Sequence, residues 1–119
     1  MKQWLVMFLT TALIVLMAFF ISKNYYQFML IQGDSMNPTY HNMQIVVLNK
    51  FDKNYKIGDV IAFQCDELDC VLVKRIDDIT DGGLYYVLGD NRERSIDSRD
   101  SRVGLVNKES VIGVVIGSN

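Results

Sequence analysis

The sequence is poor in the residues that build metal and nucleic-acid sites. It has one histidine, His41, and two cysteines, Cys65 and Cys70, too few for the four-ligand shell of a structural metal. No metal or cofactor is expected. Basic residues are not in excess either: 12 Lys and Arg stand against 14 Asp and Glu, a net charge of −2. No basic stripe is interleaved with aromatics, which argues against nucleic acid as a partner. Proline occurs once, at Pro38. Past Tyr26 no stretch repeats its apolar residues at helical spacing, and there is no internal repeat or low-complexity tract.

Long apolar runs are scarce too. The only one, Trp4 to Ile21, has no charge and two threonines as its polar residues. As a helix it spans about 27 Å, close to the hydrocarbon thickness of a bilayer. A cleaved secretory signal starting at Lys2 is the competing reading. The run is long for a signal core, however, and Ser22-Lys23-Asn24-Tyr25-Tyr26 follows it in place of a small-x-small cleavage site. Trp4 at one end and Lys23, Tyr25 and Tyr26 at the other resemble interfacial belts. A retained anchor over 1–26 is therefore expected, followed by one small domain over 27–119. Lys2 and Lys23 balance each other across the span, so charge leaves the orientation open.

What is there after the anchor is mostly β. Gln27–Gln32, Gln44–Asn49, Val60–Gln64, Val71–Ile76, Leu84–Leu88 and Val111–Ile116 read as short strands. Asn54–Asp59 and Asp81-Gly82-Gly83 read as turns. The fold class expected is mostly β, a small antiparallel barrel or sandwich behind one transmembrane helix. Cys65 and Cys70 flank the polar segment Asp66–Asp69. A disulfide closing that hairpin and two free thiols are both open readings. Gly89–Arg102 is polar and dense in charge, with no strand pattern. Long loops of this kind in compact domains are commonly functional.

Three stretches can carry chemistry. In Gly33-Asp34-Ser35-Met36-Asn37-Pro38-Thr39, Ser35 lies between a permissive glycine approach and a proline-fixed exit. That arrangement suits a hydroxyl held at one angle. In Val71–Ile76 the period of two puts Leu72, Lys74 and Ile76 on one face and Val71, Val73 and Arg75 on the other. Both faces are largely apolar, so Lys74 is expected in a covered strand, where burial lowers an amine's pKa. A neutral lysine can accept a hydroxyl proton; Arg75 cannot. A snorkelling Lys74 and a surface-loop His41 are the plain alternatives, and His41 is the weaker candidate for a base. In the charged loop, Asp97 can pair with Arg99 or Arg92, and Ser95 can orient the lysine amine.

These elements, in this order behind an anchor, resemble the signal peptidase I family of membrane Ser–Lys serine proteases. The family's S-M-x-P-T motif matches Ser35–Thr39. Its G-D-[IV]-[IV]-x-F box matches Gly58–Phe63, and its hydrophobic-V-K-R run matches Leu72-Val73-Lys74-Arg75. Its G-D-N-x-x-x-S-x-D-S-R box matches Gly89–Arg99. The resemblance implies Ser35 as nucleophile and Lys74 as general base. Ser95, Asp97 and Arg99 would support them, with Gly33 and Met36 flanking the serine. It implies an oxyanion site at the Ser35 N–H and an extended substrate beside the strands before Ser35 and around Lys74. The expected activity is removal of signal peptides with small residues before the cut from exported preproteins. The implied place is the cell membrane, single-pass, with the catalytic domain extracytoplasmic and the lipid bilayer as a partner.

The chain departs from the family in two respects. Gly33 stands where some members have an oxyanion-assisting serine, and only Ile76–Tyr86 separates the lysine strand from the last box, where others carry a large β insertion. Lysine as the base, where the endoplasmic-reticulum branch has histidine, favours a bacterial-type enzyme, with an organellar inner-membrane relative as the other reading. Two other functions stay in view: a processing peptidase of the same fold for one pilin- or conjugation-type precursor, and a membrane-tethered module that binds peptides without cutting them.

Overall fold

The computed structural model describes residues 2–119; Met1, the first residue of the expected anchor, lies outside the described residues. Helix α1 runs Lys2–Tyr25, about 36 Å at 1.5 Å per residue. None of its residues is buried against the rest of the chain. A helix apolar all round with no protein cover needs an apolar environment from elsewhere, and α1 is long and apolar enough to cross a membrane. Its two threonines do not oppose this. Thr10 and Thr11 both donate their hydroxyls to the Met7 carbonyl, at 2.9 and 2.8 Å, so neither hydroxyl needs a partner outside the helix.

The remaining elements are strands β1 (Tyr26–Leu30), β2 (Ile45–Asn49), β3 (Val60–Cys65), β4 (Cys70–Ile79), β5 (Tyr85–Leu88) and β6 (Val111–Ser118), with two single 3-10 turns at Arg92–Arg94 and Lys108–Ser110. They form one six-stranded sheet in the order β1-β2-β6-β3-β4-β5. Every pairing is antiparallel. The expected mostly β, antiparallel class holds, in the form of a single open sheet; β1 and β5 are its ends and do not close it into a barrel.

The centre of the sheet is covered on both faces. From β3, Ile61, Phe63 and Cys65 join one apolar cluster with Tyr55, Ile76, Tyr85, Val87 and Val106. Ala62, pointing the other way, joins a second with Ile31, Val46 and Leu48. Strand β4 follows the same rule: Leu72 and Ile76 pack into the first cluster and Val73 against the second. The two-sided cover expected for the lysine strand is what the fold provides.

Strand β4 is longer than β5. Its second half, Arg75–Ile79, pairs with β5, while its first half pairs with β3 on one side only. Residues 70–74 therefore present a free edge on the β5 side. The chain enters the sheet from α1 through a short tie: Lys50 N–H donates to the Tyr25 carbonyl at 2.7 Å, and the Tyr25 and Phe51 rings meet edge to face, 5.2 Å between centroids.

Candidate active site

The turn carrying Ser35 is fixed from inside and outside. Ile31 and Met36 are buried, the latter at 1% exposure, and pin its two ends to the core. Gly33 adopts φ +92, a left-handed conformation that favours glycine, and its N–H donates to Asn42 Oδ1 at 2.8 Å. Asn37 N–H and Tyr40 N–H close the turn onto the Asp34 and Met36 carbonyls, at 3.1 and 3.0 Å. The Ser35 N–H, by contrast, has no intramolecular acceptor among the described residues. It is a spare donor beside the hydroxyl.

Lys74 reaches that hydroxyl from β4. Its Nζ stands 2.7 Å from Ser35 Oγ, and the residue is only 3% exposed, with Ile61 directly opposite on β3. Burial lowers its pKa to about 8, against the opposing pull of Asp97 and Cys70. An amine in this state is neutral over much of the mildly alkaline range and can then accept the hydroxyl proton at the contact already made. His41 is not at this contact. It is exposed, and its Nδ1 pairs with Asn37 Oδ1 at 2.7 Å.

The charged loop holds both partners in place. Asn91 N–H donates to the Ser35 carbonyl at 2.9 Å and its side-chain amide to the Asp34 carbonyl at 3.1 Å. Asp97 is fully buried. It accepts from Gly89 N–H at 2.9 Å and takes the Arg99 guanidinium through both oxygens, at 2.8 and 2.9 Å. Burial works against that carboxylate, but the Arg99 and Gly89 donors outweigh it and hold its pKa down at about 2. Of the two partners considered for Asp97, Arg99 is the one that pairs. Arg92 bonds the Gly89 carbonyl. Ser95 is brought close: a Cβ on Gly89 would lie 2.1 Å from Ser95 Oγ and 2.6 Å from the Ser35 carbonyl. Its hydroxyl is buried beside the serine turn, where it helps hold the Asp97 carboxylate ionised and makes no hydrogen bond to the lysine.

Sequence reasoning missed Asp90. Its Oδ2 accepts from Thr39 Oγ1 at 2.5 Å and Arg75 Nη2 at 2.7 Å, and its Oδ1 from Arg75 Nε at 2.9 Å. Arg75 also donates to the Gly58 carbonyl at 2.7 Å. One carboxylate thus ties the serine turn, through Thr39, to the residue after Lys74. The alternation of β4 held the clue, because it puts Arg75 on the face opposite Lys74, where a charge needs a partner.

Ser35, Met36 and Lys74 border a cleft of about 300 Å³ between Met29–Gln32 and the free edge Cys70–Val73. Its walls combine the apolar side chains of these segments with polar surface, including Gln32, the hydroxyl and the amine. No group of three or more His, Cys, Asp or Glu side chains gathers as a metal site among the described residues. The arrangement can hold an extended peptide against β4 with a carbonyl at Ser35.

Comparison with known proteins gives the family of the chain. The family model described as signal peptidase, peptidase S26, matches residues 1–79 and 77–117, almost the whole chain. "Signal peptidase I P" of Bacillus subtilis subsp. natto is 26% identical over 163 aligned positions, covering 95% of this chain and 88% of the relative. "Signal peptidase I" of Bacillus licheniformis is 26% identical over 148, covering 83% and 79%. The first alignment is longer than the 119-residue chain, so that relative has residues this chain lacks. The two matched segments meet at 77–79, between Lys74 and Gly89, the interval in which the resemblance leads one to expect an insertion in other members. The chain belongs to the signal peptidase family, peptidase S26, and is a serine endopeptidase.

Proposed function

We propose that the protein is a single-pass membrane endopeptidase that removes N-terminal signal peptides from exported preproteins, with Ser35 as nucleophile and Lys74 as general base. The observation that carries this is the 2.7 Å contact between Lys74 Nζ and Ser35 Oγ at a lysine removed from solvent. In the neutral state Lys74 takes the hydroxyl proton as Ser35 attacks the scissile carbonyl. The same proton then goes to the leaving amine, and water repeats the cycle on the acyl-enzyme. The free N–H of Ser35 faces the developing oxyanion, a donor commonly worth about 3 kcal/mol in the transition state. Asp97, Arg99 and Asp90 act by holding the loop, the serine turn and β4 together, and Ser95 acts in the same loop, beside the serine turn.

The preprotein lies as an added strand on the free edge of β4. Residues 1–26 are the anchor and 27–119 the catalytic domain, on the extracytoplasmic side. Exposed Phe28, Leu30, Ile45 and Phe51, next to the end of α1, set that domain against the bilayer, where signal peptides leave the membrane. The test is cleavage of a preprotein with alanines before the cut. Ser35→Ala and Lys74→Ala each abolish it while the domain stays folded. Binding with no cleavage by the unaltered chain would leave a peptide-binding module, and cutting one precursor from a panel of unrelated ones would leave a specialised peptidase.

A further inference from the structure

Two thiols have no part in that reaction. Cys65 ends β3, Cys70 opens β4, and they face each other as the last paired residues before the turn Asp66–Asp69. Directly opposed residues of antiparallel strands project to the same face of the sheet. Their Cα atoms stand about 4.5 or 5.5 Å apart, and either spacing is within the range a disulfide accepts. Both cysteines are free, and no third cysteine competes for either. Their settings differ. Cys65 is buried and donates its S–H to the Arg102 carbonyl at 3.5 Å. Cys70 is exposed and lines the same cleft as Ser35 and Lys74.

We infer that Cys65 and Cys70 are a redox-active pair at the rim of the active-site cleft, whose disulfide closes the β3–β4 hairpin and draws the Cys70 sulfur out of the cleft wall. The oxidant is an external disulfide. The accessible Cys70 sulfur attacks it and releases one thiol; the Cys65 sulfur then attacks the mixed disulfide and releases the second. Two protein thiols are oxidised, one external disulfide is reduced to two thiols, and the two protons leave with them. The Cys65 hydrogen bond to Arg102 is lost in the exchange, since a disulfide has no S–H donor.

The effect on the cleft rests on its being the substrate site. Cys70 is four residues before Lys74, about 13 Å along the strand, so only a peptide long enough to reach it senses the change. The full chain in detergent is equilibrated in glutathione buffers from reducing to oxidising, blocked with iodoacetamide, and read by intact mass and peptide mapping. The expected result is loss of two hydrogens and a Cys65–Cys70 linked peptide on oxidation. For a long peptide substrate KM rises about threefold, the worth of roughly one lost methylene-sized contact, with kcat unchanged. A peptide trimmed short of Cys70 shows no change. Cys65→Ala or Cys65→Ser, whichever folds, loses the two-hydrogen mass change and the linked peptide and stops at the mixed disulfide on Cys70. In the unaltered chain, alkylation of both thiols at every buffer ratio, or a mixed disulfide on Cys70 alone, overturns the pair. A linked pair with the same long-peptide KM in both states overturns the coupling to the cleft. If the link forms and no peptide is cut in either state, the protease reading fails and the pair stands.

Discussion

Lys74 faces Ile61 across the β3–β4 pair and is almost wholly buried, and this has a cost in stability as well as a use in chemistry. The unfolded chain keeps the lysine proton up to its ordinary pKa of 10.5; the folded chain releases it near 8. Between those values the unfolded state binds more protons, so stability rises with pH. Below pH 8 the folded state carries the whole penalty, about 3 kcal/mol at ~1.4 kcal/mol per pKa unit. Lys74→Met is therefore expected to be inactive yet to melt higher than the unaltered chain at pH 7, and thermal melts should show the difference shrinking toward pH 10.5. A second residue-scale effect is steric. A Cβ at Gly89 would meet Ser95 Oγ at 2.1 Å and the Ser35 carbonyl at 2.6 Å. Gly89→Ala must displace the serine turn, at about 1–3 kcal/mol of stability, and kcat should fall at least tenfold while short-peptide KM changes little. Apolar neighbours at two-residue spacing pointed in the sequence to a covered strand, but they left open whether the lysine head snorkels to solvent. The closeness of Gly89 to Ser35 was not legible there, because it depends on a contact between segments 54 residues apart in the chain.

The strands were legible because period-two patterns and β-branched runs report directly on the faces they pack. The loop from Gly89 to Arg102 was legible only as charged and non-repetitive, and its order comes from pairings that no local pattern encodes. Asp90 joins Thr39 on the serine turn to Arg75 on β4. In Asp90→Asn the charge-assisted pair is lost while the shape is kept. The chain should fold, with kcat/KM down about ten- to a hundredfold, as expected if 1–3 kcal/mol of positioning is lost. Circular dichroism and peptide kinetics together check it. Asp97 governs the other half of the loop. Its pKa falls from 3.8 to about 2 on folding, so its contribution is complete above pH 3.8 and is lost as pH falls toward 2, about 2 kcal/mol in all. Acid unfolding of Asp97→Asn should show a flatter pH dependence across that window than the unaltered chain.

On the scale of the whole molecule, an apolar helix without protein cover leads into a domain whose nearest strands expose Phe28, Leu30 and Ile45, with Phe51 beside them. If these side chains rest on lipid, Phe28→Asp should slow cleavage of a preprotein inserted in vesicles and leave cleavage of a soluble peptide unchanged. The helix was plain from composition alone. The sheet order, with β6 between β2 and β3, was not, because nothing in a strand's own residues names its neighbours; nor was the open edge of β4 on which the proposed substrate strand would add. All of this scaffold serves one contact between an amine and a hydroxyl. The most direct measurement is the pH dependence of kcat/KM for the full chain, taken from about pH 5 to 10. A single rising limb with a midpoint near 8, absent from Lys74→Ala because that variant does not cut, is the predicted result. A flat profile down to about pH 5, or a limb that survives in Lys74→Ala, would contradict it.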